Sequence, residues 1–349
     1  MDIEYQIRRI DFLSPHDFHL WQNFILLTDD TNYSDLGQWR LLYYNLYGFQ
    51  NYSYFCFDKD IVVGVISVYK INSPFIGNML VSSPFFGNGG LYYKNENIRS
   101  LLLEKIITVG KELKVDFLEL RLIEQLPMPF KQNNSFSEYI LDISEDENTI
   151  WEDSFSSNVR QNIRKSLESN FRFSSSLSFT NCFNLLEKTF RVHGTPFHNK
   201  RFFKLLKKYF KSDILFAEIS KEKNIVASGI IFKFKKTVDT PYIGSLKKFK
   251  TAGANYFQYH NIIKHCKENG VISFNLGRSP NKSSHAKFKL KWGAERVPLN
   301  YNYYMINSKK EYKTVGEPSV LFIFATKFWQ KLPLIVTKNF GHLFFRYIP

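Results

Sequence analysis

Cysteine is scarce in this chain: 3 in 349 residues, with Cys56, Cys182 and Cys266 far apart and in no CxxC or metal-ligand spacing. That excludes a disulfide framework and a thiolate zinc site, and it favours a reducing compartment. Cys182 and Cys266 sit in apolar helical patterns typical of inert, buried thiols. No apolar run reaches the length of a membrane span. The N-terminal MDIEYQIRRIDF lacks the apolar core of a secretory signal. The expectation is a cytoplasmic protein that is soluble or at most peripheral on the inner face of the cytoplasmic membrane. Neither a GxGxxG fingerprint nor a Walker loop occurs. No Ser-His-Asp order and no His/Asp/Glu spacing stands out, so no metal is expected.

Acidic residues are also short, but only in one part of the chain. Residues 1–150 hold 12 Lys and Arg against 20 Asp and Glu, whereas 151–349 hold 35 against 12, and the total is +15. A solubility charge has no reason to segregate in this way. The basic part suits a polyanion such as a phosphate group, tRNA or an anionic membrane surface. Aromatics are plentiful, with 35 Phe and 20 Tyr, and most of these are expected to fill cores.

An approximate internal repeat organises the chain. Tyr52–Phe57 and Ile61–Tyr69 read as strands joined by a polar turn, and Ile214–Ile219 and Ile225–Phe234 repeat the pattern. Each second strand carries a glycine, Gly64 or Gly229, where a bulge or a close backbone approach is expected. Helical periodicity over Ile98–Leu113 precedes the strand Asp116–Leu120, as Asn255–Cys266 precedes Val271–Leu276, with Gly270 as a helix stop. Ser137–Ile143 and Arg296–Ile306 return as strands. Helices are expected at Glu147–Asn170, Cys182–Arg191 and Lys200–Phe210. The order is α/β with mixed sheets. The domains expected are 1–146, 147–317 with the helical insert, and an aromatic, basic tail over 318–349. The tail, with Phe322, Phe324, Phe328, Trp329, Phe340, Phe344 and Phe345 among its lysines, fits either packing on the second domain or contact with a membrane interface.

Three clusters carry candidate chemistry. Pro241–Cys266 runs from a strand through a basic, small-residue loop into a helix. Lys247, Lys248 and Lys250, with backbone N–H groups at the helix start, suit donor phosphates. Gly253, flanked by Ala252 and Ala254, allows close approach of the backbone. The competing reading of that loop is a capped helix. Phe274–Glu295 contains Gly277-Arg278-Ser279 at the end of a buried strand, where ligands gather in open α/β sheets. A short helix follows, capped by Ser283 or Ser284, with His285, Lys287, Lys289 and Lys291. A lysine there can steady an oxyanion, although a solvated basic face explains Lys287 and Lys291. His193, in His-Gly-Thr-Pro-Phe, suits either a general base or a turn.

The run GANYFQYHNIIKHCKENGVISFNLGRS, followed by FKLKWGAE, resembles the FemAB-like branch of the GNAT acyltransferase superfamily. VSSPFFGNGG, DFLELR, SSNVRQNIRKSLE and HGTPFHNKRFF fit the same pattern. The set is similar to members associated with exopolysaccharide and exosortase gene clusters. The resemblance covers roughly residues 10–345. It implies tandem GNAT-like domains that pass an acyl group from a thioester, or an amino acid from aminoacyl-tRNA, to an amine. It further implies that Lys289, in Phe288-Lys289-Leu290-Lys291-Trp292-Gly293, steadies the transition-state oxygen. Trp292 stands where the family has phenylalanine. The donor loop would be Lys248, Lys250, Thr251, Ala252, Gly253 and Ala254, with Thr251 at a position where CoA-binding relatives carry glycine.

The function expected is N-acyl transfer from acyl-CoA or aminoacyl-tRNA to an amine on a cell-envelope or polysaccharide precursor, lipid-linked or free. Lys289, His285 and His193 are its candidate catalytic residues. Arg278, Ser279, Trp292 and Tyr242 are its candidate substrate contacts. Acetylation of a small soluble amine, and a non-catalytic module binding RNA or a membrane surface, are the alternatives. In the first half, the stretch Tyr92–Ser100 has no donor glycine pattern and contains Glu96. That half is expected to be the acceptor side, or a degenerate copy.

Overall fold

A computed structural model describes residues 4–307 and 320–347, the side chains of 320–324 excepted. The chain divides into two compact units. One comprises Met1–Phe136, Pro298–Glu317 and Arg346–Pro349; the other comprises Ser137–Val297 and Pro318–Phe345.

The first unit starts with β1 (Tyr5–Arg9), α1 (Pro15–Leu27) and α2 (Gln38–Tyr47). Then come β2 (Gln50–Asp58), β3 (Ile61–Ser73), β4 (Gly77–Val81), β5 (Leu91–Tyr93), α3 (Glu96–Glu112), β6 (Phe117–Leu122) and the start of β7 (Lys131–Asp142). Its strand order is β1-β2-β3-β4-β6-β13, with β5 on β3. Helix α3 covers one face because Ile98, Leu102, Ile106 and Val109 recur at helical spacing and pack on Ile66, Leu80 and Leu118. Asn95 caps it by accepting from the Ile98 N–H at 3.1 Å. At Gly64 the pairing slips next to Cys56, and a Cβ there would overlap Leu102 at 3.1 Å. The strand glycine therefore marks both a bulge and a close helix approach, as its position in a β-branched run suggests.

The second unit takes over within β7. It continues with α4 (Glu147–Thr149), a π-turn at Ile150–Ser154, α5 (Ser157–Leu167), β8 (Phe171–Ser176), α6 (Thr180–Val192) and α7 (Lys200–Phe210). Next come β9 (Ile214–Lys221), β10 (Asn224–Phe234), β11 (Thr237–Ser245), α8 (Ala254–Glu268), β12 (Ser273–Pro280), α9 (Ser284–Leu290) and β13 (Glu295–Met305), which leads back into the first unit. Helices α10 (Val320–Lys331) and α11 (Leu334–Phe345) close the unit. The strand order is β7-β12-β11-β10-β9-β8. In α7 the residues Phe202, Phe203, Leu206 and Phe210 are buried, while the lysines between them are exposed.

The single helix expected over Glu147–Asn170 is broken. Phe155 is extended (φ −79°, ψ 124°) and buried against Trp292, and Ser156 then caps a fresh helix at Val159. Burial of one aromatic ring outweighs continuity of the helical period. Gly270 follows α8 at φ 75°, the left-handed stop its position suggests. Pro318 lies outside the described residues, as do the side chains of Phe322 and Phe324. No described helix is long and apolar enough to cross a membrane.

Candidate active site at the strand fork of the second unit

Strands β11 and β12 run parallel and pair over only three residues, Thr237–Asp239 with Ser273–Asn275. Among the described residues no pairing joins them beyond that point, so their C-terminal halves fork. In open sheets this is the place where ligands gather.

The fork is lined with charge. Asp239 pairs directly with Asn275, and Glu138 reaches Asn275 from β7, the neighbour of β12 on its other side. The Asn275 side-chain oxygen accepts the Gly277 N–H at 2.7 Å, which leaves its amide NH2 for the two carboxylates, each of which it bonds. Burial raises the pKa of Glu138, against the pull of Asn275, Arg278 and Lys289. Burial and the neighbouring Glu138 charge push Asp239 well above the usual carboxylate range. Two buried carboxylates competing for one amide cannot both stay ionised cheaply. The more deeply buried Asp239 holds the proton first.

Lys289 completes the cluster. Ser283 caps α9 by accepting from the Ala286 N–H at 3.1 Å, and the short helix turns Lys289 inward. Its Nζ donates to the carbonyls of Gly277 at 2.7 Å and Arg278 at 3.1 Å. The side chain is 7% exposed. Burial draws its pKa down to about 7, with Glu138 opposing the shift and Arg278 reinforcing it. Gly277 sits at φ 81°, the left-handed backbone that favours glycine, and a Cβ there would meet Nζ only in ordinary contact at 3.8 Å.

His193 and His285 approach from the rim, their rings 6.5 Å apart and edge to face. Both are exposed. Partial burial lowers each pKa, helped by Lys250 for His193 and by Lys289 and Lys250 for His285. Lys250, His193, His285, Arg278 and Lys289 thus converge from four segments. Ser279 is buried at the end of β12.

Two of the expected substrate contacts are buried. Trp292 is fully buried and packs among Phe155, Tyr256, Tyr259 and Phe288. Its indole serves the core because α9 turns Lys289, not Trp292, to the fork. Tyr242 is buried too, and its hydroxyl is engaged with His198 Nε2 at 2.8 Å.

The donor loop divides in the same way. Lys248, Lys250 and Thr251 are exposed, and Ala252 is half-buried. Gly253 and Ala254 are buried, and the Ser169 hydroxyl donates to the Ala252 carbonyl at 3.1 Å. Gly253 has φ 80°, and a Cβ on it would lie 2.8 Å from the Ser166 Cβ. The glycine therefore lets α5 seat against the start of α8. Gly253→Ala is expected to cost about 2 kcal/mol or more from strain and overlap, read as a lower urea midpoint with unchanged m-value.

The carboxylates were not legible as a site. Glu138 stands in an ordinary strand pattern and Asp239 in a turn-like VDTP stretch. Only the strand order β7-β12-β11 makes them neighbours. No group of three or more His, Cys, Asp or Glu among the described residues is placed to hold a metal. Two surface concavities, one of about 550 Å³ beside Arg99 and Met128 and one of about 150 Å³ beside Trp151 and His260, both lie away from Lys289.

In the first unit β4 and β6 also run parallel, over Met79–Val81 and Phe117–Glu119. Just beyond that pairing Arg121 is fully buried; it pairs with Glu119 at 2.6 Å and donates to the Ser83 and Phe86 carbonyls.

No family model matches the chain, and no curated protein matches it in sequence. Solved structures do match. FemX superposes with a TM-score of 0.68 at 12% identity, over 87% of this chain and 98% of FemX. A tandem GNAT protein from the clavulanic acid biosynthesis pathway gives 0.56 at 7% identity, over 86% and 98%. L-PGS from Bacillus licheniformis gives 0.55 at 14% identity, over 91% and 98%. At these identities the likeness is one of fold, and the chain has the tandem GNAT fold, α/β in both units.

Proposed function

We propose that the protein is an N-acyltransferase whose chemistry takes place at the β11–β12 fork. The observation that carries this reading is Lys289, a buried amine held by two carbonyls beside a carboxylate pair. An acceptor amine attacks the donor carbonyl carbon at the fork. The Lys289 ammonium steadies the oxygen that becomes negative, and collapse of the tetrahedral adduct breaks the acyl bond to the donor's sulfur or ribose oxygen, which leaves as the CoA thiol or the tRNA hydroxyl once protonated. Glu138 takes the proton that the acceptor ammonium must lose, and Asp239 and Asn275 hold Glu138 in place. Arg278 and His285 contact donor or acceptor, Ser279 shapes the floor, and His193 stands at the rim as a second proton acceptor.

The donor is an acyl-CoA or an aminoacyl-tRNA, and the acceptor is an amine on a cell-envelope or polysaccharide precursor at the cytoplasmic side. The seating of Gly253 and Ala254 against α5 favours a donor whose phosphates meet the exposed Lys248 and Lys250, beside Thr251, over one laid along the start of α8. The buried Arg121–Glu119 pair at the end of the parallel strands of the first unit supports an acceptor or packing role for that unit.

The test is a thermal-shift and transfer assay of the full chain with a panel of acyl-CoAs and charged tRNAs. A true donor at about a hundred times its Kd should stabilise the protein by about 2.7 kcal/mol and label an amine acceptor. If no donor stabilises it or is consumed, while uncharged RNA binds with steep salt dependence, the enzyme reading fails in favour of a binding module.

A further inference from the structure

Helix α11 is turned inside out. The residues it presents to the rest of the second unit are Thr337, Gly341 and Phe345, one per turn. Thr337 Oγ1 donates to Glu187 Oε1 at 2.7 Å. Gly341 lies on the Phe197 backbone, so near that a Cβ would stand 3.1 Å from its carbonyl oxygen. The Phe345 ring packs 4.2 Å from His198. Away from that side the helix carries Ile335, Phe340 and Leu343, which are 71%, 51% and 43% exposed, and at its edge Phe344, 44% exposed, packs edge-on against Trp329. On α10, Phe328 is 65% exposed. A surface helix normally buries its large apolar residues and shows its small polar ones to water. Here a threonine and a glycine share the inward face with Phe345, while Ile335, Phe340, Leu343, Phe344 and Phe328 remain exposed, a concentration that marks an interaction surface.

The charge around this face says what covers it. Lys327 and Lys331 flank Phe328 and are exposed, and Lys188 is exposed on α6, the helix beneath. No Asp or Glu occurs from 318 to 349. Glu187, the carboxylate that accepts from Thr337 of α11, is buried. Each helix has 12 residues, about 18 Å of length, well short of the roughly 30 Å of a bilayer core. Helices of this kind lie in the headgroup region, with apolar side chains below and lysines at the anionic surface.

We propose that the α10–α11 face docks the protein onto an anionic phospholipid bilayer. This rests on the exposed apolar row and its acid-free basic border, and it is independent of the transfer reaction at the fork. The phenylalanines and leucine insert among the acyl-chain ends, while Lys327 and Lys331 meet lipid phosphates.

The experiment is co-sedimentation of the full chain with vesicles of phosphatidylcholine alone and of phosphatidylcholine mixed with phosphatidylglycerol. The wild type should bind the anionic vesicles and bind the neutral ones far less. Phe340→Ser with Leu343→Ser should weaken binding roughly tenfold or more at an unchanged melting temperature, since both side chains are exposed. Lys327→Gln and Lys331→Gln should each cost about fivefold, on anionic vesicles only. Equal binding by wild type and the Phe340/Leu343 variant, or no preference for the anionic lipid, overturns the proposal. A concentration-dependent dimer that disperses in that variant also overturns it and gives the face to a second copy. Should the double variant not fold, quenching by bromine-labelled lipids decides: it must be strong in the wild type and fall in Trp329→Phe.

Discussion

Lys289→Met is expected to abolish most turnover and, at the same time, to make the protein more stable near neutral pH. The two effects have one cause. A methionine fills much of the same buried space without the ammonium, so the oxyanion loses its charged donor. Loss of one such donor slows transfer by about 10² to 10³, with donor binding little changed. The stability gain follows from linkage. The unfolded lysine holds its proton to its ordinary value near 10.5, whereas the folded one gives it up at about 7. Between those values the unfolded state binds more protons, so the wild type gains stability as pH rises. From pH 7.5 to 9.5 that gain is about 2–3 kcal/mol relative to Lys289→Met, read from urea unfolding of both proteins. Turnover that survives the substitution would remove Lys289 from the mechanism. Parallel stability curves would instead contradict its depressed pKa.

Glu138→Gln should cost about 10² to 10⁴ in turnover at neutral pH, the usual worth of a positioned proton acceptor. The wild-type profile should be a bell. Its acid limb reflects Glu138, whose buried carboxyl must ionise before it can accept a proton. Its basic limb reflects Lys289, which must stay protonated to steady the oxyanion. The groups that face Glu138 are Asp239 on β11, Asn275 and Arg278 on β12, and Lys289 on α9. Glu138 is the neighbour that holds the Lys289 pKa up. Removing its charge should therefore move the basic limb to lower pH. A merely structural role for Glu138 would not displace that limb, and an unmoved limb with full activity would exclude it as the base. The same assays with Asp239→Asn should show a smaller loss, because Asp239 is the less readily ionised of the two carboxyls.

The repeat was legible because it is written in local patterns. Lys200–Phe210 alternates lysines with a Phe/Leu stripe, and the helix has the bounds that pattern implies. The strand at 225–234 needed only its β-branched run. Other elements were invisible for the same reason. Helices α1 and α2 lack a clean apolar stripe, for Arg40 is buried and donates to the Asp35 and Leu36 carbonyls, a compensation no periodicity shows. Lys289 could be reached through its motif. The motif alone did not show that Trp292, two residues past the end of that helix, is buried among aromatic rings, since adjacency in sequence does not tell what a side chain packs against.

What the amino-acid order settled alone is the class of the chain: two α/β copies, an acidic half and a basic half, and a basic loop leading into a helix. These depend on short-range periodicity and on composition, both of which survive without a third dimension. The tertiary structure decided the chemistry. Glu138, Asp239, Asn275 and Lys289 are separated by up to 151 positions and share a site only because β7, β12 and β11 lie side by side and α9 folds back over them. It also decided that Arg121 is buried in a pair with Glu119 and that α11 leaves large apolar side chains exposed. Proton affinities and exposure depend on the neighbours a residue acquires on folding, and those neighbours come from distant parts of the chain.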